Sequence, residues 1–246
     1  MTISAIIQAR MGSTRLPGKV MKKIGRYPMI ELIVKRLKKA KSLDNIIVAT
    51  SSNKENYPLI NFLKRKKIKY FCGSEKDVLS RYYSAATKNK VTTIVRITAD
   101  CPLIDPKVLA EQIEFFYNNK VDYCFLGLTF AEGICADLFS FESLQKAFNS
   151  ANQKDEREHV TPYFHKHKEL FKIANYENET DDSRFRIVVD QEEDFEVVSM
   201  IIKNLYKKGN EFFDIHQIKE YLIRHPDIYK LNAAIKRNES YDAFKL

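Results

Sequence analysis

The chain has 246 residues, of which 44% are hydrophobic and 30% are charged, and its formal net charge is +9 at pH 7. This length suffices for one sizeable hydrophobic core, and a composition with only seven glycines and seven prolines excludes a disordered or low-complexity protein. No apolar run approaches the roughly 20 residues needed to cross a bilayer, and no basic and apolar leader precedes the first strand. We therefore expect a cytoplasmic protein without a membrane span.

The excess of positive charge has two interpretations. Lysine-rich stretches such as residues 35–39 and 64–67 could contact a polyanion. However, they follow amphipathic segments, and lysines in such places are typical of solvated helix faces and helix ends. No nucleic-acid-binding motif accompanies them, so we do not expect a nucleic-acid partner.

The cysteines give no sign of a metal site or of disulfide bonds. The four of them, Cys72, Cys101, Cys124 and Cys135, are scattered without a C-x-x-C pair. A cytosolic setting also disfavours disulfides. We predict buried or half-buried free thiols.

The first half of the chain alternates between strand-like and helix-like patterns. Apolar, β-rich runs predict strands at residues 3–7, 46–50, 69–71 and 93–97. Helical periodicity marks the segments 29–40, 57–66, 77–89 and 106–118. Asp105 followed by Pro106 is a typical helix start, because the carboxylate can cap the helix and proline suits its first position. The alternation predicts βαβ units in a mostly parallel sheet with helices on both faces.

The loop after the first strand, residues 8–19, concentrates cations, glycines and hydroxyl groups. Its members of these types are Arg10, Arg15, Lys19, Gly12, Gly18, Ser13 and Thr14. Ligands of such sheets bind beyond the carboxyl ends of the strands, where free N–H groups and guanidinium forks can bind phosphate oxygens. The alternative is an ordinary basic surface turn. The position after the first strand and the spacing of glycines and cations favour triphosphate binding.

The pattern changes after residues 123–126. A glycine-containing stretch, residues 127–133, precedes the segment 137–139. Further helices are predicted at 141–151, 156–165, 192–205 and 215–224, and further strands at 171–176 and 186–189. No linker is visible, so we predict one domain, residues 1–246, with a small inserted or appended element at about 127–180. That element is where we would look for a homodimer contact.

Two aspartates directly follow predicted strands. Asp100 comes after the strand at 93–97, and Asp190 lies between the strand at 186–189 and the next helix. Each could simply cap local N–H groups. On one face of the sheet, however, the two carboxylates would form a clamp for one Mg²⁺ bound to phosphate, since Mg²⁺ typically takes one or two protein carboxylates.

Residues 155–163 combine carboxylates, a guanidinium, an imidazole and a phenol. Such a mixture suits recognition of a polyhydroxylated or anionic substrate. The alternative is a solvated helix face with internal ion pairs. The residue types alone leave both interpretations open.

Five segments resemble the sugar-acid cytidylyltransferases, which include the CMP-Kdo and CMP-sialic acid synthetases. Their relatives of the spore-coat polysaccharide SpsF type are the closer match. The most specific similarity lies in residues 8–19, and it continues through 73–83, 95–105, 157–163 and 189–195. The resemblance therefore spans nearly the whole chain.

This resemblance implies a nucleotidyltransferase with a Rossmann-like fold of the GT-A type and a role for several residues. It implies that the catalytic and triphosphate-binding residues are Arg10, Arg15 and Lys19. It implies that the Ala9 backbone helps to read cytosine and that Asp100 and Asp190 ligate Mg²⁺. The complete predicted nucleotide site is Gln8, Ala9, Arg10, Gly12, Ser13, Arg15, Lys19 and Asp100. The predicted acceptor site is Asp137, Arg157, Glu158, His159 and Tyr163.

The reaction implied is transfer of CMP from CTP to an oxygen of a sugar acid or related anionic acceptor, with release of pyrophosphate, for surface glycan or polysaccharide biosynthesis. Two departures from the SpsF pattern bear on it. Where those relatives carry Gly-Leu-Asp-Val-Glu, this chain has residues 133–137, with Cys135 at the first acidic position and the shorter Asp137 at the second. Where they carry Val-Asp-Thr-Pro-Glu-Asp, residues 189–194 keep Asp190 but lose the proline. The sequence therefore leaves the acceptor open.

Two other functions fit parts of the sequence. A GT-A glycosyltransferase with a nucleotide-sugar donor would share the fold. That class commonly holds its metal with Asp-x-Asp, whereas residues 98–100 read Thr-Ala-Asp. A non-enzymatic polyanion-binding module would explain the net charge but not the strand-end aspartates, and it predicts salt-sensitive binding without Mg²⁺.

Overall fold

A computed structural model describes residues 1–134, 136–206 and 212–237 of the chain. Within these ranges the backbone forms nine strands, β1 to β9: Ile3–Gln8, Lys23–Ile24, Tyr27–Pro28, Asn45–Ser51, Tyr70–Gly73, Thr93–Thr98, Tyr123–Leu126, Asp137–Ser140 and Ile173–Tyr176. The same ranges contain ten α-helices, α1 to α10: Met29–Leu37, Tyr57–Arg65, Val78–Lys88, Pro106–Asn118, Phe141–Ser150, Lys154–His159, Pro162–Lys166, Glu192–Leu205, Ile215–Arg224 and Pro226–Lys230.

Seven of the strands in these ranges form a central sheet in the order β5-β4-β1-β6-β8-β7-β9. The first strand, β1, runs parallel to β4 on one side and to β6 on the other. Strand β8 is antiparallel to both of its neighbours, β6 and β7, whereas β9 is parallel to β7. The predicted mostly parallel sheet is confirmed.

Successive residues of the central strand β1 point to opposite faces of the sheet, as the two-residue period of a strand requires. Ala5 and Ile7 pack with α1, α2 and α4 on one face, whereas Ile6 packs with α3 and α5 on the other. A third apolar cluster joins α8, α9 and α10 to the outer side of α1 and α4. The predicted layers of helices on both faces are confirmed.

Several predicted elements have the expected local chemistry. The Asp105 side chain caps α4 by accepting a hydrogen bond from the Lys107 N–H at 2.8 Å, directly before Pro106. Cys101 and Cys124 are buried thiols and Cys72 is a half-buried one, as predicted, whereas Cys135 lies outside the described residues. No helix in the described ranges is both long enough and apolar enough to cross a membrane.

The strand predicted at residues 186–189 was wrong. A single isolated bridge pairs Arg186 with Glu132 in the part of the chain that the structure describes. The N–H groups here bond to two different segments, Ile187 to the Glu132 carbonyl at 2.7 Å and Val189 to the Asp100 carbonyl at 2.8 Å. The apolar pattern arises because these side chains are buried in the third cluster, and burial alone does not require a ladder.

The helix predicted at residues 156–165 was also wrong, because two short helices, α6 and α7, occupy this region. Between them Val160 has φ 71° and ψ −60°, and the Thr161 N–H bonds back to the His159 carbonyl at 2.8 Å. These features define a γ-turn, a rare and strained conformation for a β-branched residue. Pro162 starts α7, and in the interior of one longer helix it would lack an N–H and clash with the preceding turn.

Residues 127–180, the predicted inserted element, contribute β8 and β9 to the central sheet and α5, α6 and α7 to one of its faces. These strands lie in register with β6 and β7. The single-domain organisation and the homodimer contact stay predictions.

Candidate active site

A cavity of about 550 Å³ lies where the opening loop meets the carboxyl ends of β1 and β6. Its lining residues are Gln8, Ala9, Arg10, Ser13, Thr14, Arg15, Lys19, Val20, Thr98, Ala99, Asp100 and Asp190. The structure thus brings together every residue of the predicted nucleotide site except Gly12. At Gly12 an added Cβ would lie 3.2 Å from Glu55 Oε1, so this glycine permits the close approach of that side chain.

The loop is shaped by hydrogen bonds around Met11. The Met11 N–H donates to Asn56 Oδ1 at 2.8 Å, and the Met11 carbonyl accepts from the N–H groups of Ser13 and Gly18 at 2.9 Å. Gly18 has φ +69°, in the left-handed region that glycine adopts at little cost. This turn directs Lys19 into a short 3₁₀ helix whose first side chain reaches across the cavity.

The Lys19 ammonium lies between the two predicted metal ligands. Its Nζ donates to Asp190 Oδ1 at 2.8 Å and to the Val189 carbonyl at 2.7 Å, and it lies 3.9 Å from Asp100 Oδ2. Arg15 approaches the other oxygen of Asp190 at 3.2 Å. The two aspartates therefore share one cation-binding point, although Asp190 is 171 positions from Lys19 in the sequence.

The donor set at this point suits Mg²⁺. Mg²⁺ takes one or two protein carboxylates and completes its octahedron with phosphate oxygens and water, and Asp100 and Asp190 supply two such carboxylates. Their shared contact with Lys19 shows that both can face one cation. No cluster of three or more acidic, histidine or cysteine ligands occurs among the described residues.

Arg10 and Gln8 form the other side of the cavity. Arg10 NH1 lies 3.3 Å from Glu75 Oε1, and its side chain is 45% exposed, so it can turn toward a ligand. Glu75 in turn accepts a hydrogen bond from Asn56 at 3.3 Å. The buried Oε1 of Gln8 has no hydrogen-bond partner within the described ranges, and a donor on a bound ligand would satisfy it.

Asp137, assigned to the acceptor site, lies outside this cavity. Its Oδ2 accepts from Arg96 NH1 at 2.6 Å, and its Oδ1 accepts from the Tyr123 hydroxyl at 2.8 Å. The Tyr123 hydroxyl also lies 3.3 Å from His165 Nε2. Because Tyr123 donates to Asp137, it accepts from His165, which therefore carries its proton on Nε2. Burial lowers the pKa of His165.

The other predicted acceptor residues are spread around α6 and α7. Arg157 NH1 lies 3.5 Å from Asp77 Oδ2 and packs over Phe148. Glu158 and His159 are half-buried, and burial lowers the pKa of His159, with the nearby charges of Arg96 and Arg10 acting in the same direction. Tyr163 lies in the hydrophobic core with 3% of its surface exposed, its ring 4.4 Å from that of His167.

Two polar residues of this region were missed by sequence reasoning. Arg96 interrupts an apolar strand, and that signal could have marked it, since a charged side chain in a buried strand needs a partner. His165 carried no comparable signal, because its contact with Tyr123 joins residues 42 positions apart.

Residues 4–239 match the protein family described as Cytidylyltransferase. The spore coat polysaccharide biosynthesis protein SpsF of Bacillus subtilis is 32% identical over 231 residues, which cover 90% of this chain and 94% of that protein. A 3-deoxy-manno-octulosonate cytidylyltransferase of Fusobacterium nucleatum is 36% identical over 129 residues, covering 49% of this chain and 48% of that protein.

The fold is also shared with a solved structure. A cytidylyltransferase from Leptospira borgpetersenii superposes with a TM-score of 0.87 at 33% identity, covering 93% of this chain and 97% of that one. The predicted resemblance to SpsF-type cytidylyltransferases, and with it the Rossmann-like nucleotidyltransferase fold, is confirmed. The chain therefore belongs to the cytidylyltransferase family and is a nucleotidyltransferase, as predicted.

Proposed function

We propose that this chain transfers CMP from CTP to an oxygen of a sugar acid or related anionic acceptor and releases pyrophosphate, in the synthesis of a surface glycan or polysaccharide. The observation that carries the proposal is the cavity in which Lys19 and Arg15 meet the carboxylates of Asp100 and Asp190. The relatives support the acceptor class, since one is a spore coat polysaccharide biosynthesis protein and another a 3-deoxy-manno-octulosonate cytidylyltransferase.

The loop cations supply most of what phosphoryl chemistry needs. In-line attack of an acceptor oxygen on the α-phosphorus depends on positioning and charge neutralisation more than on covalent help from the protein. Lys19 and Arg15 would leave the aspartates for the triphosphate and offset the negative charge of the departing pyrophosphate. Mg²⁺ held by Asp100 and Asp190 would supply further charge neutralisation at the phosphates.

Gln8 and Ala9 would contribute to recognition of the base. Both line the cavity at the end of β1, and the buried Gln8 Oε1 can accept a hydrogen bond. The exocyclic amine of cytosine is a donor of the required kind, whereas uracil carries an acceptor at that position. With the Gln8 amide in this orientation, the difference favours CTP over UTP.

The acceptor would approach from the side of β6 and β8. There Arg96 NH1 pairs with Asp137 Oδ2 at 2.6 Å, and His159 is half-buried. Both Asp137 oxygens are bonded within the protein, so we assign Asp137 the orientation of Arg96 and Tyr123. Arg96 and His159 would then orient an anionic or hydroxylated acceptor.

The test is to incubate the protein with Mg²⁺, each nucleoside triphosphate in turn, and a panel of sugar acids and sugar phosphates, while pyrophosphate is measured. We expect pyrophosphate with CTP and a sugar acid. Release of a nucleoside diphosphate from a nucleotide sugar would contradict the proposal and favour a glycosyltransferase.

Variants of the loop test the roles of its cations. Lys19→Ala and Arg15→Ala are each expected to lower turnover by about 10²-fold or more, the usual cost of losing a charge-stabilising group. Lys22→Ala is the matched control, because Lys22 belongs to the same turn but pairs with Glu192 outside the cavity. Near-normal turnover in either loop variant would contradict the assignment.

A further inference from the structure

The two cavity aspartates are held by different means. Asp100 follows β6, whose backbone is held by a continuous parallel ladder with β1 up to the pair Gln8–Thr98. Asp190 follows an extended segment with a single bridge, between Arg186 and Glu132, among the described residues. A ladder therefore does not explain how Asp190 is aimed at the cavity.

A buried ionic network lies directly behind Asp190. Arg186 binds Asp194 with both nitrogens of one edge, Nε to Oδ1 at 2.8 Å and NH2 to Oδ2 at 2.9 Å. Its NH1 bonds to Glu132 Oε2 at 2.6 Å. Asp194 is fully buried, and Arg186 and Glu132 are 6% and 7% exposed. One guanidinium thus joins the loop before β8 to the start of α8.

Asp194 continues this network to the backbone of the site. Its Oδ2 accepts the N–H groups of Asp190 at 3.0 Å and of Gln191 at 3.1 Å. Asn232 donates to Oδ1 at 2.9 Å. All of these groups donate to the two oxygens of Asp194, which is the arrangement that an ionised carboxylate accepts.

We propose, on the basis of the proposed function, that Asp194 is a positioning residue for Asp190 and that Arg186 holds it in place. Asp194 does not line the cavity; it acts through the Asp190 backbone. The Arg186 NH2 group also lies 3.9 Å from Asp190 Oδ2, so it biases the carboxylate as well as the main chain. Partners one step behind metal ligands commonly change metal affinity or activity by about 10- to 100-fold.

The competing explanation is that the network only stabilises the fold. A matched control exists in Asp182, another carboxylate, 6% exposed, which pairs with Lys219 at 2.6 Å away from the cavity. Asp194→Asn and Asp182→Asn remove the same charge from similar surroundings. Both oxygens of Asp194 accept from N–H groups, so the NH2 group of an asparagine at this position would face a donor whichever way the amide turns. The contacts with Asp190 or with Arg186 would therefore be lost.

The experiment measures Mn²⁺ binding by electron paramagnetic resonance in the presence of the α,β-methylene analogue of CTP, together with steady-state kinetics and thermal unfolding. For Asp194→Asn we expect Mn²⁺ affinity and kcat to fall about 10- to 100-fold with a small change in the KM for CTP. For Asp182→Asn we expect a lower unfolding temperature with Mn²⁺ affinity within about threefold of wild type. In an Asp190→Asn background, Asp194→Asn should cause no further loss of Mn²⁺ affinity.

Three results would overturn the proposal. The first is wild-type Mn²⁺ affinity in Asp194→Asn, and the second is an equal loss of Mn²⁺ affinity in Asp194→Asn and Asp182→Asn. The third is a loss of Mn²⁺ affinity in the Asp190→Asn, Asp194→Asn double variant that equals the sum of the two single losses. If Asp194→Asn fails to fold, Arg186→Lys replaces it, since lysine keeps the charge but cannot bridge both carboxylates. Wild-type Mn²⁺ affinity in that variant would equally contradict the proposal. If the protein binds Mn²⁺ and the nucleotide but releases no pyrophosphate, the proposed function fails. The comparison of Mn²⁺ affinity between Asp194→Asn and Asp182→Asn would still test the role of Asp194.

Discussion

At the scale of single residues, Lys19 occupies the point that the two cavity aspartates share. A divalent ion placed there without nucleotide would meet the Lys19 ammonium and the Arg15 guanidinium at close range. Two unit charges 4 Å apart interact by about 4 kcal/mol near a protein surface, so this repulsion is large. A triphosphate removes the conflict by attracting both cations to itself.

This competition predicts that the metal binds with the nucleotide. Lys19→Met is expected to bind Mn²⁺ in the absence of nucleotide at least about tenfold more tightly than wild type, because about 1.4 kcal/mol of relieved repulsion gives that factor. The Mn²⁺ affinity is measured by titrating the nucleotide-free protein with Mn²⁺ and monitoring the free ion by electron paramagnetic resonance, which requires no turnover. Lys22→Met serves as the control, and equal Mn²⁺ affinity in wild type and Lys19→Met would contradict the prediction.

Protonation of His165 is expected to make the folded state less stable at low pH. Burial lowers its pKa in the folded state below the ordinary value of 6.5, so the unfolded chain binds the proton more readily. Its contribution to stability is therefore complete above the unfolded pKa and is lost as the pH falls below about 6.5. His165→Gln should show a smaller loss of unfolding temperature between about pH 7 and pH 5. Parallel pH profiles for the two proteins would count against this.

At the scale of elements, one buried carboxylate serves the start of two helices. Asp105 is 1% exposed, and its Oδ1 accepts the Lys107 N–H in the first turn of α4. Its Oδ2 accepts the Ile215 N–H at the start of α9 at 2.8 Å. The first N–H groups of a helix have no partner within the helix, so Asp105 joins two elements that are 110 residues apart in sequence.

Asp105→Ala is therefore expected to cost more than the loss of one cap. It leaves two N–H groups without their partner, for which we expect about 2–4 kcal/mol of unfolding free energy, measured by equilibrium denaturation. Ser140→Ala is the comparison, because Ser140 caps only α5 through the Ser143 N–H at 3.0 Å and should cost about 1 kcal/mol. Equal losses in the two variants would show that the contact with α9 contributes nothing.

At the scale of the whole molecule, the loop before β8 packs closely on the segment that leads to Asp190. Gly133 has φ +108°, and an added Cβ would lie 2.5 Å from the Val188 nitrogen. Neighbouring backbone bonds hold the same contact, with the Glu132 N–H donating to the Phe185 carbonyl at 2.9 Å. The loop before β8 and the segment that leads to Asp190 are therefore packed backbone against backbone.

Gly133→Ala is expected to lower the unfolding free energy by at least about 2 kcal/mol, because it combines a strained φ with a clash against main-chain atoms that cannot rotate away. Gly25→Ala is the comparison that tests a positive φ without a clash, since Gly25 has φ +60° and nothing lies within 4 Å of its added Cβ. That variant should cost about 1 kcal/mol. Denaturant unfolding of both variants tests the difference, and similar losses would contradict a close packing of the two segments.

The sequence by itself determined the elements whose signals are local. The periodic segments at 106–118, 192–205 and 215–224 are helices with those bounds, because apolar spacing and capping residues act within a few turns. The opening loop lines the cavity with Asp100, since the carboxyl ends of the parallel strands β1 and β6 meet at one edge of the sheet. Residues 8–19 indicated the cytidylyltransferase family, because their specific resemblance lies in one continuous segment.

Only the tertiary structure decided how the groups pair. Residues 186–189 carry the apolar pattern of a strand but are buried without a ladder, and Tyr163 carries a phenol suited to a substrate but packs in the core. The contact of Arg186 with Glu132 joins positions 54 residues apart. Local patterns report that a side chain is buried or charged, whereas its partner depends on the path of the whole chain. For this reason the sequence indicated Asp190 as a functional residue, and the fold alone revealed the buried carboxylate that holds it.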